Sequence, residues 1–509
     1  MFRYRIPGAN APDTITYQFT GLDRRARIAD GACRDMTNLT TDDAPCLSVR
    51  SGRHCQANYP GATLLLHKNG KPFLIYGTSA LYDGKTVGSV TAGPKRAAVM
   101  NDWIFLWPDK AAFNTATEEF RSMEEETGRL FVAFTNSAIT RQDGKTWPFQ
   151  PGDGVTIAGC VQSYNNRTAV VQSVNGTTMT FYDNIFQYGR AGSTPNPNVH
   201  SWTESGAEFS RTVPALDFVC ERDNRLWGVY GNHICCCKLG DGFNWNVFNG
   251  LATDAYDVTV GSDGAFTGIS GYSSYILAFK EDCVHKLYGS KPSNFTVYTA
   301  HIPGVQAGCA DTLQMYSNRL FYLSREGVMA FGGGIPEPVG APLNRSYTRA
   351  TAGMHHAKYY LSGVCDKGAE IVVFDTERGL WAREDHTEAV SFSSDGGTLW
   401  LLDAAGGLWK CGTEDTVEWE AVFGPFEAPS DRKRRGSRLS LILTAETGAR
   451  LSVETRCDGQ DWQMAWQGQA KRDDDTLKIP FLPVRGHGFS IRLRGTGSIT
   501  LHAINRWFR

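Results

Sequence analysis

Three segments of the chain place an aspartate-glycine turn a few residues before a tryptophan. They are Ser393-Ser-Asp-Gly-Gly-Thr-Leu-Trp400, Thr140-Arg-Gln-Asp-Gly-Lys-Thr-Trp147 and Thr455-Arg-Cys-Asp-Gly-Gln-Asp-Trp462. The first nearly fits Ser-x-Asp-x-Gly-x-Thr-Trp, with Leu399 in place of the threonine. In such a turn the carboxylate accepts backbone N–H groups, glycine takes a positive φ and the tryptophan packs beneath. The turn stabilises a hairpin and carries no chemistry itself. Cleavage of a sialic acid glycoside would further need an arginine cluster, a tyrosine nucleophile and acids converging on one point, and convergence is not legible in a linear sequence.

Other reactive side chains read as structural. His355 and His356 are adjacent, and neighbours in a strand face opposite ways, which disfavours a shared metal. Ser324 and Ser362 sit in no Gly-x-Ser-x-Gly elbow. Gly332-Gly-Gly-Ile-Pro336 is followed by no helix and so is no phosphate cradle. The cysteines number 13, an odd count without zinc-type spacing. Cys235, Cys236 and Cys237 fall in one strand-like run and cannot easily bridge one another. They read as reduced, buried thiols, and a metal site from Cys283, His285 or the Cys235 run is the minor alternative. No catalytic, cofactor-binding or metal-ligating residue is assigned, and the chain is read as not an enzyme.

The elements around these residues are short strands. Asn224-Arg-Leu-Trp-Gly-Val-Tyr-Gly-Asn232, Asn318-Arg-Leu-Phe-Tyr-Leu-Ser-Arg-Glu-Gly327, Lys358-Tyr-Tyr-Leu-Ser-Gly363 and Gly397-Thr-Leu-Trp-Leu-Leu-Asp403 each read as a strand and its turn. They recur between Gly61 and Glu420 at a period that suits four-stranded propeller blades. The expected fold is all-β: a β-propeller of about seven blades with an inserted β-barrel-like module and a C-terminal β-sandwich. The expected parts are an extended arm over 1–60, blades over 61–128, the inserted module over 129–211, blades over 212–422 and the sandwich over 423–509. Brief helices are expected near Asp30–Asn38 and Thr115–Thr127. The arm, rich in proline and poor in apolar periodicity, is expected to order only against something else.

Composition fits this reading. Of 509 residues, 41% are hydrophobic and 20% charged, as in an ordinary globular chain. The formal net charge of −2 disfavours a general nucleic-acid-binding surface, yet suits a channel through which DNA slides. Arg432-Lys-Arg-Arg435 is the densest basic cluster and reads as a solvated linker, with an acidic or DNA partner as the alternative. No apolar run is long enough to span a bilayer, and no signal peptide opens the sequence.

Asn224–Asn232, with Gly240-Asp-Gly-Phe-Asn-Trp245, resembles the tail nozzle proteins of short-tailed bacteriophages, also called packaged-DNA stabilisation or tail-hub proteins. The match extends through Ile276–Lys280, Cys283–Gly289, Pro292–Phe295, Ile302–Gly304 and Arg319–Val328. At the start, Phe19–Asp23, Met36–Leu39 and Leu47–Arg50 resemble the N-terminal arm of related phage proteins. The resemblance covers most of 15–125 and 212–420. It implies a homo-hexameric ring in the virion tail that extends the portal–adaptor channel, retains packaged DNA and passes it at ejection. The implied partners are further copies of the chain, the head–tail adaptor, tail fibre or spike proteins, and duplex DNA bound without sequence specificity. Synthesis would be in the bacterial host cytoplasm. Rival readings are a baseplate or receptor-binding tail protein, and a propeller glycosidase or carbohydrate-binding protein. The last is prompted by Ser393–Trp400, a near match to the sialidase-type Asp-box.

Overall fold

The computed structural model describes residues 12, 14–189, 198–427, 434–469, 474–479 and 485–508. The chain is all-β, and the helical pieces among the described residues are single 3-10 turns such as Ser163–Asn165 and Pro292–Asn294. Neither expected helix forms. Cys33–Thr37 is a strand, and the Thr115–Thr127 stretch holds strands Phe120–Ser122 and Glu125–Glu126. Asn114 Oδ1 accepts the N–H groups of Ala116 and Thr117, at 2.9 and 3.0 Å, and Glu118 turns left-handed at φ 58°. This Asx turn folds the chain back as a hairpin before a helical turn can propagate.

Among the described residues, seven four-stranded antiparallel sheets follow one another in sequence. Six are meanders of consecutive strands, over 62–89, 96–122, 218–259, 268–300, 314–338 and 349–383. The seventh takes three strands from 389–413, and its fourth is Gly52–Asn58, paired along Gly407–Thr413. Tight turns set the hairpins. Asn69–Gly70, Asp83–Gly84 and Asp223–Asn224 have both residues at positive φ, the geometry that matches strand twist. The second strand of most sheets is buried along nearly its whole length, as in Trp103–Trp107, Arg225–Tyr230 and Arg319–Ser324. Continuous burial in place of alternation means that both faces of the sheet are covered.

The chain divides into two compact units, 1–71 with 311–509, and 72–310. In the 72–310 unit, Phe105 and Trp107 of the second sheet share a core with Leu226 and Cys235 of the third. Trp227, Val229 and Ile234 of the third pack on Ile269, Ile276 and Leu287 of the fourth. The second and third sheets therefore touch although residues 125–211 separate them in sequence. Those residues form their own seven-stranded sheet. Its pairing closes on itself, because Ser201–Arg211 bonds both Leu130–Thr135 and Gly154–Ala158. The ring encloses a separate core that includes Phe134, Trp147, Phe149 and Phe209. Asp153 and Arg211 form a buried pair at 2.6 Å within it, and Asn244, bonded to Asp153 and Gly154, fastens it to the loop after the third strand of the third sheet.

In the other unit, Phe321 meets Tyr359 with centroids 5.6 Å apart, and Gly353 leaves room for Phe392, which a Cβ would meet at 2.4 Å. The C-terminal region is a pair of sheets, and here the expected boundaries at 60 and 423 need correction. One sheet runs Leu39–Thr40, Leu47–Val49, Ile499–Phe508, Arg434–Ala445 and Asp474–Ile479, with Thr14–Thr16 also on Ile499–Phe508. The other runs Cys33–Thr37, Glu418–Glu427, Gly488–Thr496, Arg450–Cys457 and Gln463–Gln469. The N-terminal residues are thus edge strands of the chain's own sheets. Their periodicity is hidden because each is too short to show it and most of its partners lie hundreds of residues away. Among the described residues no helix is long and apolar enough to cross a membrane.

Candidate functional site

A cleft of about 600 Å³ opens in the unit that joins 1–71 with 311–509. The start of Gly52–Asn58 supplies one wall with Arg50 and Arg53. The first hairpin of the sixth sheet supplies His355, His356, Lys358 and Tyr360, and Asp375, Arg378 and Glu384 line its far side. Thr398, Lys410 and Cys411 of the seventh sheet complete it. The Asp-box turn forms part of the rim, since Gly397, Thr398 and Leu399 face the cleft.

Each carboxylate in the cleft has a cation beside it. Asp42 is paired with Lys358. Asp375 meets Arg378 at 2.8 Å and also accepts the backbone N–H groups of Glu377 and Arg378. Glu384 is paired with Arg53. The adjoining Asp385 lies 3.2 Å from Arg50 and 3.4 Å from Arg53. Burial works to raise the Asp385 carboxyl, but Arg53, the Thr387 N–H and Arg50 outweigh it and hold the group below its usual range. Burial pushes the Tyr360 phenol up, with Glu384 adding to it, and pushes the Cys411 thiol to about 12. Lys410 is exposed and has no charged or hydrogen-bonding partner among the described residues. Among the described residues the cleft therefore presents fixed ion pairs, one unpaired lysine and a neutral phenol, a surface suited to holding a polar or anionic ligand.

The Asp-box turn at Ser393–Trp400 has the geometry its sequence implies. Asp395 accepts N–H groups from Gly397 at 3.1 Å, Thr398 at 2.7 Å and the Trp400 indole at 3.1 Å. The positive φ falls at Gly396 and not at the motif position Gly397. Asp143 binds the Lys145 N–H and Arg141 likewise within its own turn. Asp458 differs: its carboxylate accepts from His487 and Gly488, both at 2.8 Å, and so links two distant segments.

His355 and His356 do meet, with ring centroids 4.1 Å apart. His356 lies beyond the strand end in a left-handed turn, φ 50°, so strand alternation does not separate them. His355 bonds Ser394, and burial, with His356 adding, lowers its basicity. Ser324 serves a hairpin, donating to the Gly327 carbonyl, and Ser362 ties the sixth sheet to the loop entering the seventh, donating to the Thr387 carbonyl. Gly332–Pro336 is a loop with Ile335 exposed. Cys235 and Cys237 face one core and Cys236 the next, and burial pushes all three thiols up. No group of three potential metal ligands occurs among the described residues. Arg432 and Lys433 of the basic cluster lie outside the described residues.

His285 is buried, and both ring nitrogens are occupied, by Ser262 at 2.8 Å and Thr299 at 2.9 Å. Burial, then Lys280 and His301, lower it from 6.5 to about 4. A folded value below the unfolded one means that the unfolded state takes up the proton first. Stability should then fall as pH drops from 6.5 to about 4, by about 3 kcal/mol from this group. Urea unfolding across that range checks it. In His285→Gln this part of the slope should vanish, and an unchanged slope would assign the titration to another group.

Sequence reasoning missed the Arg50–Arg53–Glu384–Asp385 cluster. Its only local signal was the basic pair in Arg50-Ser-Gly-Arg53, and its partners lie more than 330 residues on.

No model of a known protein family matches the chain, and no curated protein matches it. Solved structures do. An exo-β-1,3-galactanase from Phanerochaete chrysosporium, solved with β-1,3-galactotriose, is 10% identical over 57% of this chain and 95% of its own, with a TM-score of 0.22. The extracellular domain of a hybrid two-component system protein from B. thetaiotaomicron is 7% identical over 92% of this chain and 100% of its own, at 0.20. A protein described as a glycoside hydrolase is 11% identical over 88% and 97%, at 0.21. The expectation that the chain is not an enzyme is corrected by these matches, which include glycoside hydrolases, and it is not carried further.

Proposed function

We propose that the seven four-stranded sheets are the blades of one β-propeller, and that the chain is a ring-forming protein of a phage tail, of the nozzle or hub kind. The observation that carries the propeller is the way the seventh sheet is finished. Gly52–Asn58 completes it, and the next strand in sequence, Ala62–Lys68, opens the first sheet and lies against it. Ser391 of the seventh sheet donates to the Leu65 carbonyl at 3.0 Å. Last and first blades would then be joined by consecutive strands, the kind of closure by which radially repeated blades leave only short, protected edges. The tail role rests on the resemblance of 15–125 and 212–420 to nozzle proteins. A closed disc with an inserted module and a terminal sheet pair offers the rigid faces that such a ring needs. Its partners would be further copies, an adaptor, fibres or spikes, and passing DNA, in the virion tail.

The test is the assembly state of the purified full chain, read by native mass spectrometry and negative-stain imaging. Sixfold rings of the chain alone are expected. A chain that stays monomeric at every concentration tested overturns the ring.

A second reading, a carbohydrate-active propeller, is favoured by one observation. The cleft brings Arg50, Arg53, Tyr360 and Glu384 together, the residue types that sialidase-type chemistry requires, with an Asp-box turn at its rim. Release of 4-methylumbelliferone from a sialoside or galactoside by the wild type, abolished in Tyr360→Phe, would establish it, and no release from either substrate would remove it.

A further inference from the structure

The C-terminal sheet pair has one open face that takes no part in the cleft. In the sheet that runs from Cys33–Thr37 to Gln463–Gln469, Leu451, Val453 and Leu493 point inward and are buried. The alternate residues point out. Strand register sets Thr37, Glu420, Arg494, Ser452 and Gln467 in one row across five strands. A second row beside it holds Glu418, Thr496, Arg450 and Gln469. At the usual strand spacing the first row spans roughly 19 Å. Together the rows floor an open groove of about 870 Å³.

The chemistry of this floor is specific. Arg494 is paired with Glu420. Glu418, Arg450, Gln467 and Gln469 form no ion pair or side-chain hydrogen bond with other described residues, so their groups are available. Two glutamates offset two arginines, which gives no net field to draw a polyanion such as nucleic acid. The rows present no exposed aromatic or large aliphatic anchor, the groups that carry protein–protein binding energy. What remains is a strip of side-by-side amides, guanidiniums and carboxylates, each able to donate to or accept from two adjacent groups at once. Neighbouring hydroxyls on a sugar ring are donors and acceptors at that spacing.

We propose that this face binds a neutral oligosaccharide laid across the strands, with Arg450, Gln467 and Gln469 as its principal contacts. The site is separate from the cleft and does not depend on whether the blades form a tail ring.

The experiment applies the full chain to an array of neutral, sialylated and sulfated oligosaccharides, and follows the best neutral ligand by calorimetry. Binding to neutral oligosaccharides is expected, with an affinity loss of about tenfold or more in the triple variant Arg450→Ala, Gln467→Ala, Gln469→Ala. The melting temperature of the triple variant is measured alongside. If it falls, the shape-preserving pair Gln467→Glu and Gln469→Glu, which removes the amide donors, should give the same loss. Absence of binding on the array, preference for acidic sugars, or neutral-sugar binding that survives both variants overturns the proposal. The last outcome would move sugar binding to the cleft, and ring assembly would be untouched by any of them.

Discussion

Replacing Glu370 with alanine should destabilise the protein by about 3–5 kcal/mol, the range for removing one partner from a buried charge cluster. Glu370 lies on the third strand of the sixth sheet and is 3% exposed. It accepts both terminal nitrogens of Arg24, at 3.0 and 2.9 Å, and the Tyr347 hydroxyl at 2.8 Å, with Arg345 3.2 Å away. Without the carboxylate, two largely buried guanidiniums and a buried phenol lose their common acceptor. Burial alone would raise the Glu370 carboxyl, but the Arg24 bond and charge, then Tyr347 and Arg345, hold it below its ordinary 4.5. Its stabilisation is therefore present above 4.5 and is lost as pH falls through the lower folded value. Glu370→Gln, which keeps the shape, should cost less and flatten the acid limb of the stability profile. Urea unfolding at several pH values reads both effects. A loss below about 1 kcal/mol for Glu370→Ala would place the cluster among the weak, solvent-relieved pairs.

A chain that starts at Tyr59 should fail to fold cooperatively. The deletion removes the fourth strand of the seventh sheet and edge strands from both C-terminal sheets. It also removes Arg24 from Glu370 and takes Arg50 and Arg53 away from Glu384 and Asp385. The remainder would carry open sheet edges and unpaired buried carboxylates, a combination that favours aggregation. Soluble yield and a thermal melt decide it. A soluble truncated chain with a sharp melt near that of the full chain would restore the reading of these residues as an arm ordered only by a neighbour.

Much of the local structure was legible. Asn69–Gly70 turns because asparagine and glycine tolerate positive φ, and the Asp395 turn forms because a short carboxylate reaches the next backbone amides. Such signals act within a few residues, so a linear reading finds them. Thr115–Thr127 was misread because Asn114, just ahead of the stretch, caps a turn more readily than it starts a helix. The cleft's Asp-box rim and its two adjacent histidines were visible, but the cleft itself was not, since Arg50 and Arg53 meet Asp385 and Glu384 across more than 330 residues.

The all-β character, the hairpins and their turns are set locally, because they depend on backbone dihedrals and on apolar residues a few positions apart. That Gly52–Asn58 finishes the last four-stranded sheet, that strands from both ends build the terminal sheet pair, and that Arg24 reaches Glu370 emerges only in the folded chain. Backbone N–H and C=O groups of an edge strand are alike in every strand, so pairing carries no local mark of its partner. The choice is made by burial and charge across hundreds of residues, which exist only once the chain has folded.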